Sequence, residues 1–311
     1  MTAKQYLELF AARAIFFLPI SWASEIGAFF GRKEARRAIK LKLKWIDRLH
    51  NNFEQLQGLT RHKDRELLII AHIEHIGRLH AETPILHRID AAGRLEICGQ
   101  EHLKLLKGQC IIIGVHTGHW ELISAVFKRL NIITSALYEE IDNKIHLKVA
   151  LETRKRICPE EQYHYIPGSP SGARKLVRLI KNGENVSIFI DEQKQSLGTT
   201  PSFGRRPPVS NNISVVARLA IKYNLQILPL RIKRKNKANF TAIIDKPINP
   251  NNFENSKNSL NGLNGLKTTL NNTAESWILE DISQWYWLSQ FDLGQPQDIK
   301  PEIYAQETLY E

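Results

Sequence analysis

Residues 110–138 read CIIIGVHTGHWELISAVFKRLNIITSALY, and the order of textures in that stretch decides the fold. CIIIGV is a short Ile-rich run bounded by glycine, the pattern of a buried strand. HTGHW is a polar turn, ELISAVFKRL an amphipathic helix, and IITSALY a second strand-like run. Strand, turn, helix, strand is the βαβ unit of a largely parallel sheet.

The same rhythm continues toward the C-terminus. ARKLVRLIKNG predicts a helix closing at Gly183, VSIFID a strand, SVVARLAIKYN a helix and LQILPLRIK a strand. LEICG, from Leu95, supplies a strand before the first unit, so residues 95–250 are expected to form one α/β unit. The stretch 249–272 is rich in Asn, Gly and Ser and favours turns, and a last helix is expected to carry Trp277, Trp285 and Trp287. The expected fold class is therefore α/β, a mostly parallel central sheet flanked by helices. The expected division is an N-terminal helical membrane-anchoring region, 1–94, and an α/β domain, 95–311.

Toward the N-terminus, Leu41, Trp45, Leu49 and Phe53, and then Leu67, Ile70, Ile73 and Ile76, recur at helical spacing. Before them stands AIFFLPISWASEIGAFFG, residues 14–31, mostly apolar but interrupted by Pro19 and Glu25. A span needs about 20 apolar residues, and a central charge costs roughly 2.5 to 3.5 kcal/mol on insertion scales. The segment is therefore marginal as a span and reads as an interfacial or shallowly embedded helix, with a core helix followed by a solvated basic helix as the alternative. Arg32, Lys33, Arg36, Arg37, Lys40, Lys42 and Lys44 follow at once and would attract anionic headgroups.

Composition narrows the partners. With 43 Lys and Arg against 32 Asp and Glu, the chain carries a formal charge of +11, which suits an anionic lipid, an acidic protein or a nucleic acid. No RNP-like aromatic block, helix-turn-helix or zinc finger accompanies that charge, which argues against nucleic acid. The three cysteines, Cys98, Cys110 and Cys158, are widely spaced and form no CxxC pair, so neither a disulfide framework nor a zinc knuckle is expected.

His116 follows the strand IIIGV at its carboxyl end, where open α/β sheets bind ligands, and Glu121 stands five positions later. Folded back, Glu121 would fix the His116 tautomer and stabilise the imidazolium that forms when the ring takes a proton. No G-x-S-x-G elbow is present, so an acceptor hydroxyl would attack an activated acyl group directly. H-x-x-H within HTGHWE is also a zinc-hydrolase pattern, but it straddles a turn and no second ligand cluster accompanies it.

IIIGVHTGHWEL resembles the H-x4-(D/E) block of the lysophospholipid acyltransferase superfamily, in the form used by the late acyltransferases of lipid A biosynthesis. ENVSIFIDEQ, TTPSFGRRPPVSNNISVVARLA and LQILPLRIKR resemble further blocks of that family, in order, and together these cover about residues 95–235. His119 stands where the family often has Asn, and Glu192 separates Asp191 from Gln193. The resemblance implies an acyl-carrier-protein thioester donor and a phosphorylated glycolipid acceptor at the cytoplasmic face of the inner membrane. It requires no metal or organic cofactor, and it implies His116 and Glu121 as the catalytic pair, with Trp120 beside them among substrate-binding residues. The same chemistry on glycerol phosphate or a lysophospholipid is the alternative.

For the remaining candidates the sequence leaves two readings each. Asp191 would line the site or cap the next turn, and Gly204 would let substrate approach the backbone or only make a turn. Arg205 and Arg234 are the arginines favoured, over Arg206 and Arg231, for gripping phosphate rather than facing solvent.

Overall fold

The computed structural model describes residues 14–57, 62–138, 144–159, 161–194, 197–205, 211–253 and 260–293. Three helices open the chain: α1 (Ile20–Lys40), α2 (Lys44–Gln57) and α3 (His62–Glu82), followed by the short α4 (Leu86–Ala91). The sheet strands are β1 (Leu95–Cys98), β2 (Cys110–Gly114), β3 (Thr134–Tyr138), β4 (Tyr163–Pro167), β5 (Asn185–Phe189), β8 (Gln226–Asn236) and β9 (Asn239–Ile244). Between them run α5 (Ile123–Arg129), α6 (Lys144–Ile157), α7 (Pro170–Lys181) and α8 (Asn212–Tyr223), a small antiparallel pair β6 (Glu192–Lys194) and β7 (Leu197–Thr200), and finally α9 (Leu260–Glu280).

The seven strands lie in the order β1-β9-β8-β2-β5-β3-β4, and every pairing is parallel except β8 with β9. β2 is central and buried throughout, which is why it reads as an unbroken apolar run. Side chains alternate across it. Ile111 and Ile113 join Val186, Ile188, Leu176 and Val216 on one face, while Ile112 joins Leu228, Val126 and Phe127 on the other. Helix starts are fixed locally: Ser169 Oγ accepts from Gly172 N at 3.1 Å before α7, and Asn211 Oδ1 accepts from Ser214 N at 2.8 Å before α8.

The mostly parallel sheet agrees with the βαβ reading. Two details differ. α9 starts inside the Asn/Gly/Ser-rich stretch, because Leu266, Leu270, Ala274 and Ile278 recur every four residues and bury one stripe against the core. Trp285 and Trp287 lie beyond the end of α9: Trp285 joins two 3-10 turns, Ile282–Gln284 and Tyr286–Ser289, and Trp287 lies in the second.

α1 has two unlike faces. Ala23, Ser24, Gly27, Ala28, Gly31, Ala35 and Ala38 form a buried small-residue stripe. A Cβ on Gly27 would sit 2.3 Å from Gly77 O, and one on Gly31 would sit 2.4 Å from Ile73 O, so α1 and α3 touch backbone to backbone. The other face leaves Trp22, Phe29 and Phe30 at 66%, 55% and 59% exposure. Among the described residues no helix is long and apolar enough to cross a membrane.

A polar seam runs between α1, α3 and β8. Ser24 Oγ donates to Glu82 Oε1 at 2.6 Å, Arg78 Nη1 donates to Ser24 Oγ at 2.8 Å, and Arg234 of β8 forks onto both Glu82 oxygens at 2.7 and 2.8 Å.

Candidate active site

The turn after β2 delivers His116 to the carboxyl end of the sheet, beside the end of β5. Gly118 makes that turn possible: its φ is +57°, and a Cβ there would meet Ile232 O at 2.5 Å. Thr117 Oγ1 donates to the same Ile232 carbonyl at 3.1 Å, pinning the loop to β8.

Asp191, two residues past β5, holds His116 twice. Its Oδ2 accepts the His116 backbone N–H at 2.7 Å, and its Oδ1 lies 2.8 Å from His116 Nδ1. Trp285, fully buried, also donates its indole N–H to Asp191 Oδ2 at 3.0 Å. Asp191 is thereby locked in place against the His116 ring.

A second partner competes for the ring's Nδ1. Trp287 Nε1 is 3.1 Å from His116 Nδ1, yet one nitrogen cannot both give a proton to Asp191 and accept one from Trp287. The bond to the carboxylate is charge-assisted and prevails. Nδ1 therefore carries the hydrogen, and Nε2 is left with the lone pair. Phe189, Trp120 and Trp287 surround the imidazole with ring centroids at 4.5, 5.1 and 5.2 Å. Tyr286 N donates to His116 O at 2.9 Å, so the C-terminal turns clamp the loop from outside.

Glu121 does not hold His116, contrary to the sequence expectation. Arg154 of α6 takes both its oxygens, at 2.9 and 2.6 Å, and no hydrogen bond joins Glu121 to His116 among the described residues. The physical reason is prior occupancy: Asp191 already fills the backbone and Nδ1 positions of His116, and a bidentate guanidinium is the stronger partner for the free carboxylate. Burial works against the Arg154 charge, but Glu121 more than offsets it and keeps the guanidinium protonated. The Arg154 head also lies over the Tyr165 and Tyr138 rings, 4.5 and 5.5 Å from their centroids.

Arg234 is a second correction. It is buried, not open to a ligand: besides the fork onto Glu82, Nε donates to His75 Nδ1 at 3.2 Å and Nη1 to Lys237 O. An arginine at this depth is tolerated because it is fully paired. Arg205 closes a turn, its backbone N and its Nε both 3.0 Å from Ser202 O, and burial lowers its proton affinity. Gly204 sits within that turn at φ +78°. Arg206 lies outside the described residues.

The two histidines of H-x-x-H have unlike surroundings. His116 faces Asp191, whereas His119 is fully buried, with its ring centroid 6.1 Å from that of Phe240, and burial followed by the Arg234 charge pushes it well below the usual histidine range. Arg154, Trp285 and Trp287 were not assigned to the site by sequence reasoning. Arg154 sits in a helix whose cationic pattern reads as a solvated face. The tryptophans are conspicuous in QWYWLSQ, but nothing local states which rings they meet.

Comparison with known proteins adds the following. The family model described as bacterial lipid A biosynthesis acyltransferase matches residues 1–291. No curated protein matches the chain. Among solved structures, the chain is similar to the 1-acyl-sn-glycerophosphate (LPA) acyltransferase PlsC from Thermotoga maritima, at 12% identity and a TM-score of 0.36, covering 82% of this chain and 97% of that one.

Proposed function

The chain belongs to the bacterial lipid A biosynthesis acyltransferase family, and from that premise we propose that it moves a fatty acyl group from an acyl-carrier-protein thioester to a hydroxyl of a phosphorylated lipid A precursor, with His116 as general base. The observation that carries this reading is the His116–Asp191 contact at 2.8 Å, which leaves Nε2 as the basic nitrogen at the carboxyl end of the sheet.

Nε2 removes the acceptor hydroxyl proton as its oxygen attacks the thioester carbonyl. The tetrahedral intermediate collapses, the carbon–sulfur bond breaks, and the imidazolium returns its proton to the thiolate of the carrier. Asp191 orients the ring and stabilises its charged form. Glu121, expected from the family motif to partner His116, is assigned with Arg154 to the adjoining wall, and Trp120 to the acceptor side of the ring. The exposed aromatic face of α1, followed by Lys33, Arg36, Arg37 and Lys40, supports docking at an anionic inner-membrane surface facing the cytoplasm.

The test is acyl transfer from carrier thioesters to a tetra-acylated lipid A precursor in detergent micelles. Wild type should form product. His116→Ala and Asp191→Asn should each lose about a thousandfold in kcat, within the range ascribed to general-base catalysis, with unchanged circular dichroism. Equal activity in the variants sinks the assignment of the base; transfer only to lysophosphatidate moves the acceptor to the glycerolipid class.

A further inference from the structure

The open edge of the sheet carries a second concavity. β4 is the last strand, with one side unpaired among the described residues. Residues of β3, β4, α6 and α7, among them Tyr138, Arg154, Lys155, His164, Tyr165 and Lys175, line a cleft of about 320 Å³. No carboxylate belongs to that lining among the described residues. The nearest one tied to it, Glu121, is already engaged by Arg154.

A concave surface of one sign, with low-dielectric walls, concentrates the opposite ion. Arg154 sharpens the point. Its Nε and Nη2 are spent on Glu121, while Nη1 is buried and makes no hydrogen bond among the described residues. Tyr165 Oη is buried beside it, with the Ser124 side chain as its hydrogen-bonding neighbour. Burial raises the Tyr165 phenol well above its usual range, so the wall beside Arg154 adds no negative charge of its own. The cleft thus offers fixed charge and, on Arg154, an unspent donor, the two requirements for binding an oxyanion.

We propose that this cleft is a phosphate subsite of the acyl transfer reaction, holding a phosphate ester on one of the two substrates, with Arg154 shared between that phosphate and Glu121. The proposal rests on the function given above for its substrates. The phosphate ester has two sources there, the sugar phosphate of the glycolipid acceptor and the phosphodiester of the carrier's pantetheine arm. The volume exceeds what a bare phosphate fills, which fits a phosphate carried on a larger group. Arg154 both lines the cleft and holds Glu121, five positions after His116, so the subsite adjoins the segment that carries the base.

The first measurement is independent of activity. Full-length protein is titrated with inorganic phosphate by isothermal titration, comparing wild type with Lys155→Gln/Lys175→Gln and with Lys175→Arg. Saturable binding by wild type, weakened at least tenfold in the double variant and kept in Lys175→Arg, supports the subsite. An absence of saturable binding, or equal affinity in all three, overturns it, whether or not the enzyme proves to act on lipid A. Kinetics then assign the source. A tenfold fall in the double variant's preference for phosphorylated over dephosphorylated acceptor places the acceptor there. The same fall for carrier thioester over an acyl-pantetheine lacking phosphate places the donor. An active double variant with neither preference moved overturns the proposal.

Discussion

Arg234 and Arg154 each fork onto both oxygens of a glutamate, and they differ in what is left over. Arg234 spends Nε on His75, Nη1 on Glu82 and Lys237 O, and Nη2 on Glu82. Arg154 spends Nε and Nη2 on Glu121 and keeps Nη1 unspent. The first pair belongs to the sealed seam between α1, α3 and β8; the second forms a wall of an open site. The number of engaged donors, not the charge itself, separates an arginine that holds the fold from one placed to meet a ligand.

The largest effect expected from this contrast is on stability. Arg234→Ala leaves Glu82 buried without its counter-ion, and should cost about 3–5 kcal/mol, the range found when one partner of a buried pair is removed. Arg154→Ala should cost clearly less in urea unfolding, since the Glu121 it exposes lies beside an open cleft, while acyl transfer falls at least tenfold. Equal destabilisation by the two changes would break the contrast.

Next comes pH. His72, His75 and His119 are all buried in or beside the seam, and burial is the first cause holding each below the usual range. His72 is pushed down to about 4, while its unfolded counterpart titrates near 6.5. The folded protein keeps these rings neutral, so their contribution to stability is complete above pH 6.5 and is lost as pH falls toward the folded value. For His72 alone the loss between pH 6.5 and 4 is about 3 kcal/mol. Unfolding midpoints measured across that window should fall steeply, and His72→Gln should flatten the slope. A flat wild-type profile would show that the seam is not sealed.

How much of this was legible in the sequence follows from the range of each signal. β2 announces itself because a central parallel strand is apolar at every position, and the turn after it identifies His116. The partner of His116 was misread, because H-x4-E is a local pattern, whereas Asp191 arrives from β5 by sheet pairing, 75 positions away. Arg234 and Arg205 look alike as letters, and only the packing of α3 against β8 makes the first of them structural. α9 was hidden by its Asn and Gly content, although its buried stripe was present in the spacing of Leu266, Leu270, Ala274 and Ile278. Arg154 gave no local signal at all.

The smallest stability effects divide α1 between the same two kinds of surface. Its inner face meets α3 with no room for a side chain: a Cβ on Gly27 lies 2.3 Å from a backbone oxygen, which cannot swing aside as a flexible side chain would. Gly27→Ala should force the helices apart at about 1–3 kcal/mol, the usual range for overpacking. Because Ser24 on the same stripe is bonded to Glu82, the displacement should also weaken the Arg234 pair. The outer face has no such neighbours among the described residues, so Phe29→Ser/Phe30→Ser should change stability by under about 0.5 kcal/mol. Its effect should appear instead in sedimentation with anionic phosphatidylglycerol vesicles, where the double variant should bind at least tenfold more weakly and Gly27→Ala, below its unfolding transition, should bind nearly as wild type. If Phe29 and Phe30 prove dispensable for vesicle binding while costing stability, the outer face packs against protein, and α1 belongs wholly to the seam.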